Sequence, residues 1–162
     1  MNEYSATGCK NRLHLGMRAP IACLIGAALV AGSCAARSRP VFQGDWRVIW
    51  FTAPGISALA PTEATGWIGT VASYDKHRAA FGRESCDQPS YATRTMAPDE
   101  FAKAYRVRPA DLGLQGDAVT LITVTCASPW TNRGSLLVVK SADVLLTTWD
   151  GVFFELERRT PE

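Results

Sequence analysis

Few residues in this chain have side chains suited to chemistry, and their types narrow what that chemistry is. From Cys34 onward there is one histidine, His77, so a Ser-His-Asp hydrolase would have to use it. No G-x-S-x-G elbow is present to hold a nucleophile, and His77 follows Asp75-Lys76 between two strand-like runs, where it is expected as a solvated turn residue. Metal sites are equally short of ligands: one imidazole and scattered carboxylates match no usual set. Two acid pairs, Asp99-Glu100 and Glu155/Glu157, have the right groups for general acid and base work. The first pair follows Pro98 and suits the positive end of a helix; the second falls on one face of a hairpin, where acids solvate. The glycines are spread as turn residues, with no P-loop and no phosphate-cradling G-x-G-x-x-G. These patterns predict a protein that is not an enzyme and uses no cofactor.

The cysteines say more. Lys10, Arg12 and Arg18 lead into residues 19–33, an uncharged and mostly apolar run, too short for a membrane span and right for a signal-peptide core. It ends in "LVAGSCAAR", where Ala31-Gly32-Ser33 put small residues just before Cys34. This segment resembles the bacterial lipobox, with Ala31 where leucine is commonest. The resemblance implies a signal peptide over 1–33, a lipidated Cys34 as the new N-terminus, and membrane attachment through that lipid. Simple secretion with cleavage near Ala36 is the alternative. Ala35 stands where an aspartate commonly signals inner-membrane retention, so the resemblance implies the periplasmic face of the outer membrane. Cys9 and Cys23 would leave with the signal peptide, and Cys86 and Cys126 would remain as the only free thiols in an oxidising compartment, where they are expected to form a disulfide.

The chain from Cys34 has 129 residues, one domain's worth. Lys10, Arg12 and Arg18 are three of the 17 basic residues and Glu3 is one of the 15 acidic ones, so 14 of each remain and nothing marks the domain for nucleic acid. Lys103, Arg106 and Arg108 read as a solvated surface.

Elements follow from the pattern. Residues 34–40 read as a tether and 41–162 as the domain. "GDWRVIWF" (44–51) alternates as a strand with Trp46, Val48 and Trp50 inward. "APGISALAPTEATG" is a loop with one helical turn at Pro61; "WIGTVASY", "HRAAFG" and a short run near Tyr91 are strands; "APDEFAKAY" (97–105) is a short helix; "RPADLGLQGD" is turn-rich; and "AVTLITVTC" is a strand delivering Cys126. In 135–159 three β-branched and aromatic runs are separated by 141–143 and by Asp150-Gly151, the latter a type I′ hairpin signal. With that turn Trp149 pairs with Val152, Thr147 with Phe154 and Leu145 with Leu156 on the inner face. Leu146, Thr148, Phe153, Glu155 and Glu157 then share the outer face.

Seven or eight short strands, one helix and no βαβ rhythm predict a mainly β domain, a small antiparallel barrel or strongly curved sheet. Gly44-Asp45-Trp46 resembles the G-x-W opening of lipocalin-type barrels, and "WDGVFFELER" is similar to the last hairpin of small envelope lipoprotein barrels such as lysozyme inhibitors and META-type domains. No inhibitory loop of the lysozyme-inhibitor kind is recognisable. The tether, the small disulfide-stapled domain and the absent catalytic set predict a non-enzymatic binding module for a periplasmic protein partner, an inhibitor or assembly factor. A lipocalin-like carrier of a small apolar ligand is the alternative. The binding candidates are Trp130 in "SPWTNRG", as a lid on the barrel or as an exposed anchor, and Tyr91 after "DQPS".

Overall fold

The computed structural model describes residues 39–127, 130 and 133–160; Cys34, the signal segment and most of the tether lie outside them. The domain is mainly β. Among the described residues there are nine strands: β1 Gly44–Thr52, β2 Val71–Tyr74, β3 Arg78–Phe81, β4 Glu84–Asp87, β5 Ser90–Met96, β6 Val119–Thr125, β7 Leu136–Val139, β8 Val144–Trp149 and β9 Val152–Arg158. Helix α1 (Pro61–Thr65) lies between β1 and β2, α2 (Pro98–Tyr105) between β5 and β6, and a 3₁₀ turn (Pro109–Leu112) follows α2. Both α-helices begin with proline, and α2 carries Asp99 and Glu100 in its first turn, against the positive end of the helix.

The strands form one sheet in the order β4-β3-β2-β1-β9-β8-β7-β6-β5, curled into a barrel-like shell. Every pairing is antiparallel, so β4 and β5, eight steps apart across the sheet, run in the same direction. The chain passes from one to the other through Gln88, at φ 51°, and Pro89, without reversing. In effect β4 and β5 are one strand kinked in the middle, its first half paired to β3 and its second half to β6. That kink is the ninth strand that periodicity alone does not show, since "ESCD" is too short and polar to register.

The β8–β9 hairpin has the expected register: Trp149 faces Val152, Thr147 faces Phe154 and Leu145 faces Leu156. Asp150 (φ 49°) and Gly151 (φ 83°) are both left-handed, as a type I′ turn requires. Gly151 is also needed for space, since a Cβ there would come within 2.5 Å of the Ile56 carbonyl oxygen.

Inside the curl, Trp46, Val48, Tyr74, Phe81, Leu137, Leu145, Phe154 and Leu156 pack as one buried cluster. Arg158 ties the open end of this core. Its guanidinium lies 4.2 Å from the Trp46 ring centre and donates to the carbonyls of Gln43 (2.9 Å) and Ala142 (2.9 Å) and to Asp143 Oδ1 (3.2 Å). One side chain thereby joins β9, the approach to β1 and the β7–β8 turn.

Two expectations need correcting. The outer face of the β8–β9 hairpin is not simply solvated: Leu146 and Phe153 are buried in a second core with Met96, Phe101, Val107, Leu112 and Val138, because α2 and the 3₁₀ turn fold across that face. Glu155, expected outside with Glu157, is instead half-buried and paired with Lys140 at 2.7 Å. The second correction concerns Trp50. Val48 faces Leu156 and Trp50 faces Glu155, so Ile49 is an extra residue, a β-bulge. Beyond it the alternation inverts: Phe51 points inward, 6.2 Å from the Phe154 ring, and Trp50 points out, 63% exposed.

Candidate functional site

The bulge sets Trp50 against a groove of about 260 Å³ on the outer face. Its apolar lining includes Leu146 and Phe153 of the hairpin, and Leu112-Gly113 line it from the 3₁₀ turn. Lys140, Glu155 and Asp111 supply its charges. Two of these are already neutralised, Lys140 and Glu155 by each other, while Asp111 accepts a bidentate pair from Arg108 at 2.7 and 3.0 Å. That bond lowers the Asp111 carboxyl below the usual carboxylate range. What the groove offers is an exposed indole beside a lining that is more polar than apolar, its charges paired among themselves and with Arg108. At this volume it admits a single side chain or ring, below the size of ordinary small-molecule pockets.

A second aromatic site forms at one end of the barrel, where alternation of strand direction collects the β1–β2, β3–β4, β6–β7 and β8–β9 connections. Arg133 of the β6–β7 connection lies 4.3 Å from the centre of Trp67 and 5.2 Å from that of Trp149. Its buried Nε has no hydrogen-bond partner among the described residues. Such cation–π contacts contribute on the order of 0.5–2 kcal/mol each, more when desolvated. Trp67 packs in turn on Phe81 (5.5 Å) and Phe154 (5.7 Å), so this arginine is fixed to the inner core.

Trp130 belongs to the same connection. It is half-buried against the inner core, and its indole N–H donates to the Arg133 carbonyl at 2.5 Å. Of the two expected arrangements, this is the geometry of a lid. Tyr91, on β5, is also half-buried: its ring lies 4.4 Å from Phe42 and its hydroxyl donates to the Asp75 carbonyl at 2.8 Å. Burial, and then the nearby Asp75 carboxylate, push its hydroxyl up to about 12. Both residues thus have structural work among their neighbours.

Cys86 on β4 and Cys126 just after β6 are bonded, with Cα atoms 5.9 Å apart. The bond links strands that do not pair with each other, and together with the Tyr91–Asp75 hydrogen bond it draws the two sheet edges together. A loop of 40 residues is closed, for which the chain-entropy model gives about 4 kcal/mol.

The groups considered for catalysis are dispersed. His77 is exposed in the β2–β3 turn, where its backbone N–H and that of Arg78 donate to Asp75 Oδ1 at 2.6 and 2.8 Å and lower the Asp75 carboxyl. Asp99 and Glu100 are exposed on α2, and Glu157 is exposed on β9. Among the described residues no three His, Cys, Asp or Glu side chains are grouped to hold a metal ion. Trp50 is the residue that the sequence reading misassigned. The signal was present in "VIWF", four consecutive apolar residues that break the alternation begun by "DWRV" and mark a strand whose register slips.

The fold and sites together define a disulfide-bonded, barrel-like antiparallel β domain with an exposed tryptophan beside an outer groove. Comparison of the chain with protein-family models, with curated proteins and with solved structures finds no match.

Proposed function

We propose that this chain is a cell-envelope lipoprotein, lipidated on Cys34 and held at the periplasmic face of the outer membrane by a short tether, whose domain is a non-enzymatic binding module for a protein partner. The observation that carries the reading is Trp50. A regular β1 would bury it; the bulge at Ile49 instead turns a large apolar ring to solvent beside a small groove of mixed, mostly polar lining. Bulges re-aim side chains at functional positions, and tryptophan in a desolvatable pocket is the commonest kind of binding anchor. The filled interior supports this reading over the carrier, because Trp46, Tyr74 and Phe154 occupy the space in which an apolar ligand would sit.

Two measurements test it. Fractionation of cells making Cys34→Ser should move the chain out of the membrane fraction, and intact mass of the wild-type chain should show acyl groups on Cys34; an unmodified Cys34 in the membrane fraction refutes the anchor. Cross-linking in intact cells should give one saturable adduct, weakened roughly tenfold or more in Trp50→Ala. Equal adduct formation by both chains refutes the groove.

A further inference from the structure

A hollow of about 240 Å³, separate from the Trp50 groove, lies at the end of the barrel beside the β1–β2, β3–β4 and β6–β7 connections. Trp67 and Phe81 wall it, and Gly66 and Gly82 line it with no side chains to fill it. Its charged residues are Arg133, Arg83 on the β3–β4 turn and Glu84 at the start of β4. Glu84 is already engaged, and two guanidiniums against one carboxylate leave a single positive charge over.

Arg133 is fixed through both its backbone and its side chain. Its carbonyl accepts the Trp130 indole N–H, and the next carbonyl, of Gly134, accepts the buried Tyr74 hydroxyl at 3.0 Å. Gly134 fits because it has no Cβ, which would stand 2.6 Å from the Tyr74 oxygen and 2.8 Å from the Phe81 ring. The backbone is thus pressed onto the core, while the Trp67 and Trp149 rings hold the guanidinium. Aromatic rings stabilise its charge but do not pair its N–H donors, which lie in the guanidinium plane and need acceptors there. The buried Nε is such a donor, and it has no acceptor among the described residues. A buried donor left unpaired costs free energy and native structures keep few of them, so a bound anion that pairs it removes a real penalty.

We propose that this hollow binds an organic monocarboxylate with an apolar body of about one ring, the carboxylate on Arg133 and the body against Trp67 and Phe81. A carboxylate edge-on to the guanidinium accepts from Nε and one Nη together, the paired geometry that arginine favours. Arg83 adds charge from the opposite connection, and the single net positive charge matches a monoanion. The volume is below that of drug-sized pockets, which limits the body to a small one. Two sources carry this chemistry: a free acid, and the C-terminal residue of a polypeptide.

The test follows the indole N–H resonances of the purified full chain carrying Cys34→Ser by NMR, assigned by replacing each tryptophan singly with phenylalanine. Phenylacetate should move the Trp67 and Trp149 signals along one saturating curve and leave that of Trp50 in place. Phenylacetamide, neutral and of the same shape, and acetate, which lacks the ring, should each bind roughly tenfold more weakly or worse. Arg133→Gln should raise the phenylacetate dissociation constant roughly tenfold or more. Should that variant unfold, Arg83→Gln, an exposed change on a turn, should still raise it by about threefold. Acetyl-alanyl-phenylalanine with a free C-terminus separates the sources: binding tighter than phenylacetate assigns a chain terminus, and equal or weaker binding assigns a free acid. These readouts depend neither on the lipid anchor nor on a partner at Trp50, so this proposal and the previous one fail separately. Equal affinity for the acid and its amide, equal affinity for acetate, or shifts that fall on Trp50 instead of Trp67 and Trp149 overturn the site, as does the absence of saturable binding.

Discussion

Trp46 and Trp50 stand four residues apart on one strand and have opposite fates. Trp46 is wholly buried, its indole N–H donating to the Phe42 carbonyl at 2.9 Å and its face covered by Arg158. Trp50 is mostly in water, beside a groove. Residue type does not separate them; one inserted residue, Ile49, does. Because side chains alternate with period two, a single extra residue exchanges inside for outside over everything that follows it. The tryptophan before the bulge is a stability residue and the one after it is free to be a recognition residue.

The largest effect should come from Trp46. Trp46→Ala removes a fully buried ring, leaves the Arg158 guanidinium without its aromatic face and leaves the Phe42 carbonyl without its donor. A loss of about 3–5 kcal/mol is expected by urea denaturation, a large fraction of a small domain's stability. A loss below 1 kcal/mol would show that the inner core is not organised around this residue.

The disulfide should come next. Replacing Cys86 and Cys126 by alanine is expected to lower stability by about 2–4 kcal/mol, somewhat below the chain-entropy figure because the reduced unfolded chain is not a random coil. The exposure of Trp50, read by acrylamide quenching, should not change, since the groove is built from β1, β8, β9 and the 3₁₀ turn and not from the joined edges.

A pH experiment sharpens the contrast between inner and outer aromatic groups. Tyr91 ionises near 10 in the unfolded chain and is pushed up to about 12 in the folded one, and burial moves the Tyr74 hydroxyl in the same direction. A raised folded value means that the unfolded state releases its protons first, so the stabilisation is complete below pH 10 and is lost as pH rises toward 12. Stability should therefore fall with a steepening slope above pH 10, and Tyr91→Phe should make that slope shallower. An unchanged slope would mean that Tyr91 is not held in the packed position beside Phe42.

How much of this was legible follows from the same physics. The β8–β9 hairpin could be read to the residue because turn chemistry at Asp150-Gly151 and alternation on both sides agree. The disulfide could be read because thiols are few. The helix at Pro98 announced itself through its proline and acids, but what it covers did not: Phe101 and Leu112 look like ordinary apolar residues of a short helix and a turn, and only the fold carries them across to Leu146 and Phe153. Trp50 was misread because a strict period was applied through a strand that slips. Arg133 gave no signal, because its position over Trp67 and Trp149 brings together the β1–β2 connection, the β6–β7 connection and the end of β8.

The smallest expected effect is the most telling. Trp50→Ala trims a side chain that is already mostly hydrated, on a strand whose inner residues are untouched, so stability should change by no more than about 0.5 kcal/mol. A residue selected for the fold would not behave so, and a tryptophan that leaves stability unchanged while its loss weakens partner cross-linking is a recognition residue. Deleting Ile49 asks the converse question. Without the bulge, Trp50 is driven inward and Phe51 outward, so the deletion should shield Trp50 from acrylamide and cost far more stability than Trp50→Ala, because the Phe51–Phe154 contact is lost and a larger ring must enter a filled core. If Trp50 stayed quenchable after the deletion, the bulge would not be what holds it in solvent, and its exposure would have to be ascribed to the end of the strand instead.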